Sequence, residues 1–394
     1  MKKLRVGLLF GGRSGEHEVS LLSAASVLNA IDRKKFDVVP IGITKEGRWL
    51  TAADAERLLA GEPPREPRKL RAGDPATTAP AAVLAHGDAA RIEPVPGPAL
   101  IPFQTAASAK EAIRLDGQSL DVIFPVLHGT FGEDGTIQGL FELAGIAYVG
   151  SGVLGSSTGM DKDVMKKLFA ASKLPMVKHV TLLRADLEAS PRKAITRIEG
   201  ALKYPVFVKP ANLGSSVGIS KAHNRRELGP ALTLAASFDR KIVVEQGVGG
   251  GSRKARELEV GVLGNDKPRA SVVGEIVPGK EFYDYEAKYL SEGSIPIIPA
   301  KLTREQTKQI QQMAIGAFQA CDCAGLARVD FLMDPGKSQR IYVNEINTLP
   351  GFTAISMYPK LWQASGVGYT DLITQLIGLA LERRRERDLN SYSV

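Results

Sequence analysis

The stretch "RVDFLMDPGKSQRIYVNEINTLPGF", Arg328 to Phe352, sets acids and amides into runs that otherwise read as core strand. Its halves "GLARVDFLMD" and "RIYVNEIN" are rich in strand formers and flank "PGKSQ", which predicts a β-hairpin. With its centre between Lys337 and Ser338, Asp330 opposes Glu345 and Arg328 opposes Asn347. Side chains alternate along a strand, so these four share one face while Val329, Phe331 and Ile346 take the other. Two carboxylates opposed in a low-dielectric setting repel strongly unless a cation sits between them. Two acids and an amide offer only oxygen, which favours a hard metal. Magnesium fits best, since it binds through one or two carboxylates plus substrate phosphates. The alternative is a surface hairpin whose acids face water.

The 394 residues suffice for roughly two or three domains. With 44% hydrophobic and 24% charged residues the composition is that of an ordinary soluble chain with buried sheets and helices. The 51 Lys and Arg exceed the 43 Asp and Glu by 8, a mild excess spread along the chain, which suits a polyanionic small molecule as well as nucleic acid. Cys321 and Cys323 have no His or second Cys pair nearby to complete a zinc set and read as reduced core residues. In "MKKLRVGLLFGG" the apolar run is too short for a signal peptide, and even "LITQLIGLALE" is interrupted well before the roughly 18 residues of a membrane span. The expectation is a cytoplasmic protein with no membrane and no nucleic-acid partner.

Strands and helices alternate through residues 1–150 ("LRVGLLF", "EVSLLSAASVLNAI", "FDVVPIGIT", "LDVIFPVLHG", "GIAYVG"), which predicts a parallel, helix-covered sheet. From about Ala60 to Gly117 the composition turns to Pro, Ala, Gly and Arg, a surface excursion rather than core. A small α+β unit is expected over 151–248 and a third unit over 249–394. The last ends in "LERRRERDLNSYSV", read as a solvated helix end and frayed tail.

Magnesium beside opposed acids implies a nucleotide. A Walker A loop is absent, because Phe331 stands where GxxxxGKS needs glycine. Gly150, Gly152 and Gly155 form a GxGxxG, yet the acid expected about twenty residues later is missing. "FVKPANLGSSVGIS" is the better candidate: a strand delivers Lys209, and the turn Gly214 to Gly218, with Ser216, offers backbone amides to phosphate. Lys162 could add a positive charge, and "VVEQGV" could bond an adenine through its backbone around Glu245 to Val248.

In order along nearly the whole chain, GEHEVS, FPVLHGTFGEDG, MDK, VKP, GSSVG, YDYEAKY, RVDF and NEINTLPGF closely resemble the D-alanine:D-alanine ligase family of the ATP-grasp superfamily. The resemblance implies a multidomain α/β and α+β chain, with an N-terminal, pre-ATP-grasp-like parallel-sheet domain followed by a two-domain ATP-grasp fold. It implies ATP-driven joining of two D-alanines through an acyl phosphate, for peptidoglycan precursor synthesis.

By resemblance Asp330, Glu345 and Asn347 hold two magnesium ions, with manganese a possible substitute. Lys162, Lys209, Ser216, Lys288 and Asn344 then serve ATP and its phosphates, Glu245 and Val248 frame adenine, and Glu257 resembles the ribose-binding acid; Gln246 stands where relatives often carry lysine. Glu18 would pair with the first substrate's ammonium, near His128 at the carboxyl edge of the parallel sheet. Arg328, a fixed positive fork, would meet the oxyanion with help from the Gly351 amide, and Ser356 would hold the second substrate's carboxylate. Ser215 and Tyr289 complete a hydrogen-bonded set with Glu18, and "KEFYDYEAKYLSEGS" would close as a lid that excludes water. Relatives that make D-alanyl-D-lactate lack YDYEAKY, and relatives of the family are usually homodimers. The rivals are another ATP-grasp carboxylate–amine ligase, a D-alanyl-D-lactate ligase, and a non-catalytic nucleotide-binding regulator.

Overall fold

The computed structural model describes residues 2–65, 114–115, 118–214, 216–249, 254–277, 295–353 and 355–391. Ser215, Lys288, Tyr289, the expected lid and nearly all of the expected excursion lie outside the described residues.

The first region comprises β1 (Leu4–Gly11), α1 (His17–Ala30), β2 (Phe36–Ile43), α2 (Ala52–Leu59), the short antiparallel pair β3 (Arg114–Leu115) and β4 (Gln118–Ser119), β5 (Val122–Pro125), α3 (Thr136–Leu143) and β6 (Ala147–Tyr148). Its main sheet is parallel, in the order β2-β1-β5-β6. Alternation explains the apolar run of β1: Val6, Leu8 and Phe10 enter one buried cluster and Leu9 another. A sheet buried on both faces needs such strands.

The second region runs through α4 (Val153–Met160), α5 (Lys162–Ala171), β7 (His179–Leu183), α6 (Arg184–Ala189), α7 (Pro191–Ala201), β8 (Val206–Pro210), β9 (Ser220–Ala222), α8 (Arg225–Phe238) and β10 (Lys241–Gln246). Its antiparallel order is β7-β10-β8-β9. Val206 and Val208 of β8 and Ile242 and Val244 of β10 pack under α7 and α8. Period two therefore turns Lys209 and Glu245 to the opposite face.

The third region contains β11 (Arg256–Gly264), β12 (Arg269–Val277), β13 (Ile295–Ile297), α9 (Arg304–Ala320), β14 (Gly325–Met333), β15 (Ile341–Asn347), α10 (Met357–Ala364) and α11 (Tyr369–Asp388). The antiparallel order is β13-β12-β11-β14-β15. Helix α9 starts on a capping box of Thr303 and Gln306 and buries Ile310, Ala314 and Phe318 against Leu258, Val260, Val329 and Phe331.

The chain then returns to its beginning. Leu349 and Phe352, with Leu372, Ile373, Leu376 and Ile377 of α11, join the cluster of Val6, Leu8 and Phe10. Phe352 meets Phe124 edge to face at 5.8 Å. The arginine run, expected to be a solvated end, is partly an anchor. Arg383 stacks 4.4 Å over the Tyr148 ring and donates to the Gly150 and Tyr148 carbonyls, and Arg387 pairs with Glu142. Sequence periodicity missed this because the partners lie more than 230 residues away.

Candidate active site

In the hairpin β14–β15, Arg328 faces Asn347, Val329 faces Ile346 and Asp330 faces Glu345. Val329, Phe331 and Ile346 are buried. The register shifts after Asp330, so that Phe331 pairs with Val343 and Asn344 becomes an extra residue. The bulge solves a packing problem. Val343 and Ile346 are three apart, and strict alternation would put them on opposite faces, yet both enter the same core. Asn344 and Glu345 stay half-buried between them, the Asn344 side-chain oxygen being buried without a hydrogen-bond partner.

The guanidinium of Arg328 grips Asp330 with both prongs, at 2.7 and 2.8 Å, and Nε lies 3.3 Å from Glu259. Glu259 stands opposite Asp330 on β11, so Glu257 and Glu259 extend the same acidic face. Asn347 accepts through its side-chain oxygen from the Leu349 amide at 3.2 Å. Among the described residues no three His, Cys, Asp or Glu side chains form a metal cage. Asp330 and Glu345, in register, with the amide of Asn347 nevertheless make an oxygen-only set that fits a cation keeping much of its water and taking substrate oxygens as further ligands.

The second sheet presents the opposite charge. Glu245 is buried and each carboxylate oxygen meets a lysine, Lys166 at 2.8 Å and Lys209 at 2.7 Å. Burial alone would raise the Glu245 pKa; the two ammonium groups overturn it and hold the carboxyl far below its usual range. For Lys209 burial pulls downward, but Glu245, then Glu345 and Glu257, carry its pKa above the ordinary lysine value. The acidic face of the third sheet thus acts directly on the lysine of the second. Lys162, at the start of α5, donates to the Leu213 carbonyl at 2.8 Å, beside the turn that follows β8. In that turn Ser216 adopts a left-handed backbone with φ of 59°. Val248 follows β10 in a turn and is half-buried. The side chain of Gln246 accepts from the Lys203 amide at 3.0 Å, so it braces the neighbouring loop.

At the carboxyl edge of the first sheet the structure brings in Glu16 rather than Glu18. Glu18, on the outer side of α1, is paired with Lys45 at 2.6 Å, with side-chain exposures of 62% and 60%. Glu16 is buried, at the N-cap of α1, and makes no side-chain capping bond. A methyl added at Gly214 would sit 3.0 Å from its Oε1, so Glu16 reaches the phosphate-type turn of the second sheet. Two positions, about half a helical turn, separate two acids that the motif GEHEVS does not distinguish.

His128 is buried, with Nδ1 3.1 Å from the Leu349 carbonyl and Nε2 3.1 Å from the Ser23 hydroxyl. A carbonyl only accepts, so Nδ1 carries the proton. Burial lowers the His128 pKa, partly opposed by Glu16. The ring ties the first sheet to the "NTLPGF" loop. Glu133 accepts from the Gly129 amide at 2.6 Å, and burial, then the charge of Glu16, pushes its pKa up to about 8. Downstream, Gly351 lies so close to Ser356 that a Cβ would stand 2.9 Å from the hydroxyl. Ser356 opens α10 and bonds with the Thr353 amide at 3.0 Å and hydroxyl at 2.7 Å.

Glu16, Glu133, Glu259 and Lys166 escaped the sequence reading. Only Glu259 had a clear signal, the alternate acids of "ELEV". The GxGxxG glycines serve packing: a side chain at Gly155 would meet the Asp322 carbonyl at 2.4 Å. Both cysteines are buried, and among the described residues no helix is long and apolar enough to cross a membrane.

Residues 5–151 match the family model described as D-ala D-ala ligase N-terminus, and residues 168–378 that described as D-ala D-ala ligase C-terminus. The chain is 48% identical over 395 residues to a D-alanine–D-alanine ligase of Natranaerobius thermophilus, covering 99% of this chain and 98% of that one. It is 48% identical over 394 residues to that of Bacillus cytotoxicus, covering 100% of both. The structure of the D-alanine-D-alanine ligase from Coxiella burnetii superposes with a TM-score of 0.74 at 34% identity, over 98% of this chain and 97% of that chain. The VanG D-Ala:D-Ser ligase from Enterococcus faecalis superposes at 0.75 and 35% identity, over 96% and 100%.

Proposed function

The chain belongs to the D-alanine–D-alanine ligase family, and from that premise we propose how its residues join two D-alanines at the expense of ATP. The first D-alanine's carboxylate attacks the γ-phosphorus, the bond to ADP breaks, and an acyl phosphate forms. The second D-alanine's amine attacks that carbonyl carbon, loses a proton and expels phosphate. The observation that carries the site assignment is one sheet face gathering Arg328, Asp330, Glu345 and Asn347 beside the lysines of the second sheet.

Lys162 and Lys209, with the Ser216 turn and Asn344, take the phosphates; the backbone from Glu245 to Val248 takes adenine and Glu257 the ribose. Asp330, Glu345 and Asn347 would hold two magnesium ions, or manganese, which when bound neutralise the terminal phosphates. Buried Glu16, instead of Glu18, binds the first substrate's ammonium and so selects its stereochemistry. His128 positions this corner by holding the Leu349 carbonyl. Arg328 leaves Asp330 to face the oxyanion, with the Gly351 amide beside it, and Ser356 receives the second carboxylate. Ser215, Lys288 and Tyr289 stay assigned to the lid and its bonds on resemblance alone. The product feeds peptidoglycan precursor synthesis in the cytoplasm, and the expected assembly is a homodimer, to be read by sedimentation.

The test is phosphate release from ATP with single amino acids. D-alanine alone should support it; equal turnover with L-alanine, or with D-lactate as the second substrate, overturns the assignment.

A further inference from the structure

Lys166 has no part in the roles given above, yet among the described residues it is the most deeply buried cation of the site. Its side chain is fully inaccessible, and its ammonium lies 2.8 Å from Glu245 Oε1. It also reaches the carbonyl of Asn344, the bulged residue of β15, at 3.5 Å. One residue earlier, the Met165 sulfur accepts from the Ile346 amide at 3.4 Å. The face of α5 bearing Lys162 and Lys166, one turn apart, is therefore wedged between the second and third sheets.

The charge count makes this position consequential. Glu245 is buried with two lysines, one on each oxygen. They differ in what else they can reach. Lys166 is sealed, whereas the Lys209 side chain retains 10% exposure and lies within the field of Glu345 and Glu257, the acids flanking the proposed nucleotide. A buried carboxylate deprived of its last partner is strongly unfavourable. Lys209 can leave for phosphate oxygen only if something else still neutralises Glu245.

We propose that Lys166 is a positioning residue: it is the permanent counter-ion of Glu245 and thereby frees Lys209 to bind nucleotide phosphate. This rests on the reading of Lys209 as a nucleotide lysine, and the experiment separates the two claims.

ADP with excess magnesium is titrated calorimetrically into wild type, Lys166→Met, Lys209→Met and the double variant Lys166→Met/Glu245→Gln. Lys166→Met should weaken ADP at least about tenfold, the order expected when a charged hydrogen-bond partner is lost. The double variant, in which no buried charge needs Lys209 and the backbone at position 245 that is read as meeting adenine is kept, should return to within about threefold of wild type. A merely structural lysine predicts the reverse, with the double variant no better than the single. That result, or unchanged affinity in Lys166→Met, overturns the proposal. Unchanged affinity in Lys209→Met sinks the nucleotide reading itself. Loss in Lys209→Met with retention in Lys166→Met sinks only the role of Lys166. If Lys166→Met does not fold, the double variant decides alone: it has no buried charge left to strand, so wild-type-like affinity supports the proposal and a tenfold loss overturns it.

Discussion

The two sheets that border the site solve opposite electrostatic problems. On the second sheet and α5, two lysines, Lys166 and Lys209, hold one carboxylate, Glu245, while Lys162 bonds the Leu213 carbonyl. On the third, one arginine serves an acidic face of Glu257, Glu259, Asp330 and Glu345. The first carries its cations around a buried carboxylate. The second gathers carboxylates in register around Arg328, an arrangement that suits a cation arriving with substrate. On the proposed reading, phosphate recognition and metal recognition are divided between two sheets with different packing partners.

The comparison breaks most severely if the buried centre is emptied. Glu245→Ala leaves Lys166 and Lys209 without their carboxylate and should cost about 3–5 kcal/mol in denaturant melts. A loss below about 1 kcal/mol would mean that the lysines find other partners. On the acidic side Arg328→Ala should lower kcat by about two orders of magnitude, roughly 2.7 kcal/mol of barrier, while ADP still binds. Near-normal turnover would put the oxyanion elsewhere. At the third wall Glu16→Gln should raise the KM for the first D-alanine by roughly ten- to a hundredfold, the worth of a charge-assisted bond. An unaltered KM would return the ammonium to another acid.

A smaller effect sharpens the picture at the first sheet. Glu133 has its pKa raised to about 8, so the folded state holds a proton that the unfolded chain releases above its ordinary value of 4.5. Its contribution favours folding at low pH and is lost as pH rises through that window. Glu133→Gln should therefore flatten the fall in stability between about pH 5 and 8 in pH-dependent melts. An unchanged slope would mean Glu133 is ionised throughout. Smallest of all, Glu18→Gln removes only an exposed pair with Lys45 and should alter stability by less than about 1 kcal/mol and the D-alanine KM by less than about twofold.

What the chain determined locally was legible. Period-two alternation and a five-residue turn were enough to put Asp330 against Glu345 and Arg328 against Asn347, because that information sits within some twenty neighbouring residues. The parallel first sheet was similarly written in short segments. The bulge at Asn344 was already implicit in the spacing of Val343 and Ile346, but only their shared core decided it.

Which acid is buried at the sheet edge, which lysine is buried against Glu245, and where the arginine-rich end docks were decided by tertiary structure alone. Glu16 and Glu18 carry the same chemistry two positions apart, and only the packing of α1 on its sheet buries one and exposes the other. Lys166 looks like any helical lysine until β10 and β15 close around it, and Arg383 like part of a solvated tail until Tyr148 comes beneath it. Sequence fixes what a side chain can do within its own turn or strand; burial and long-range partners, which set charge and orientation, exist only once distant segments have met.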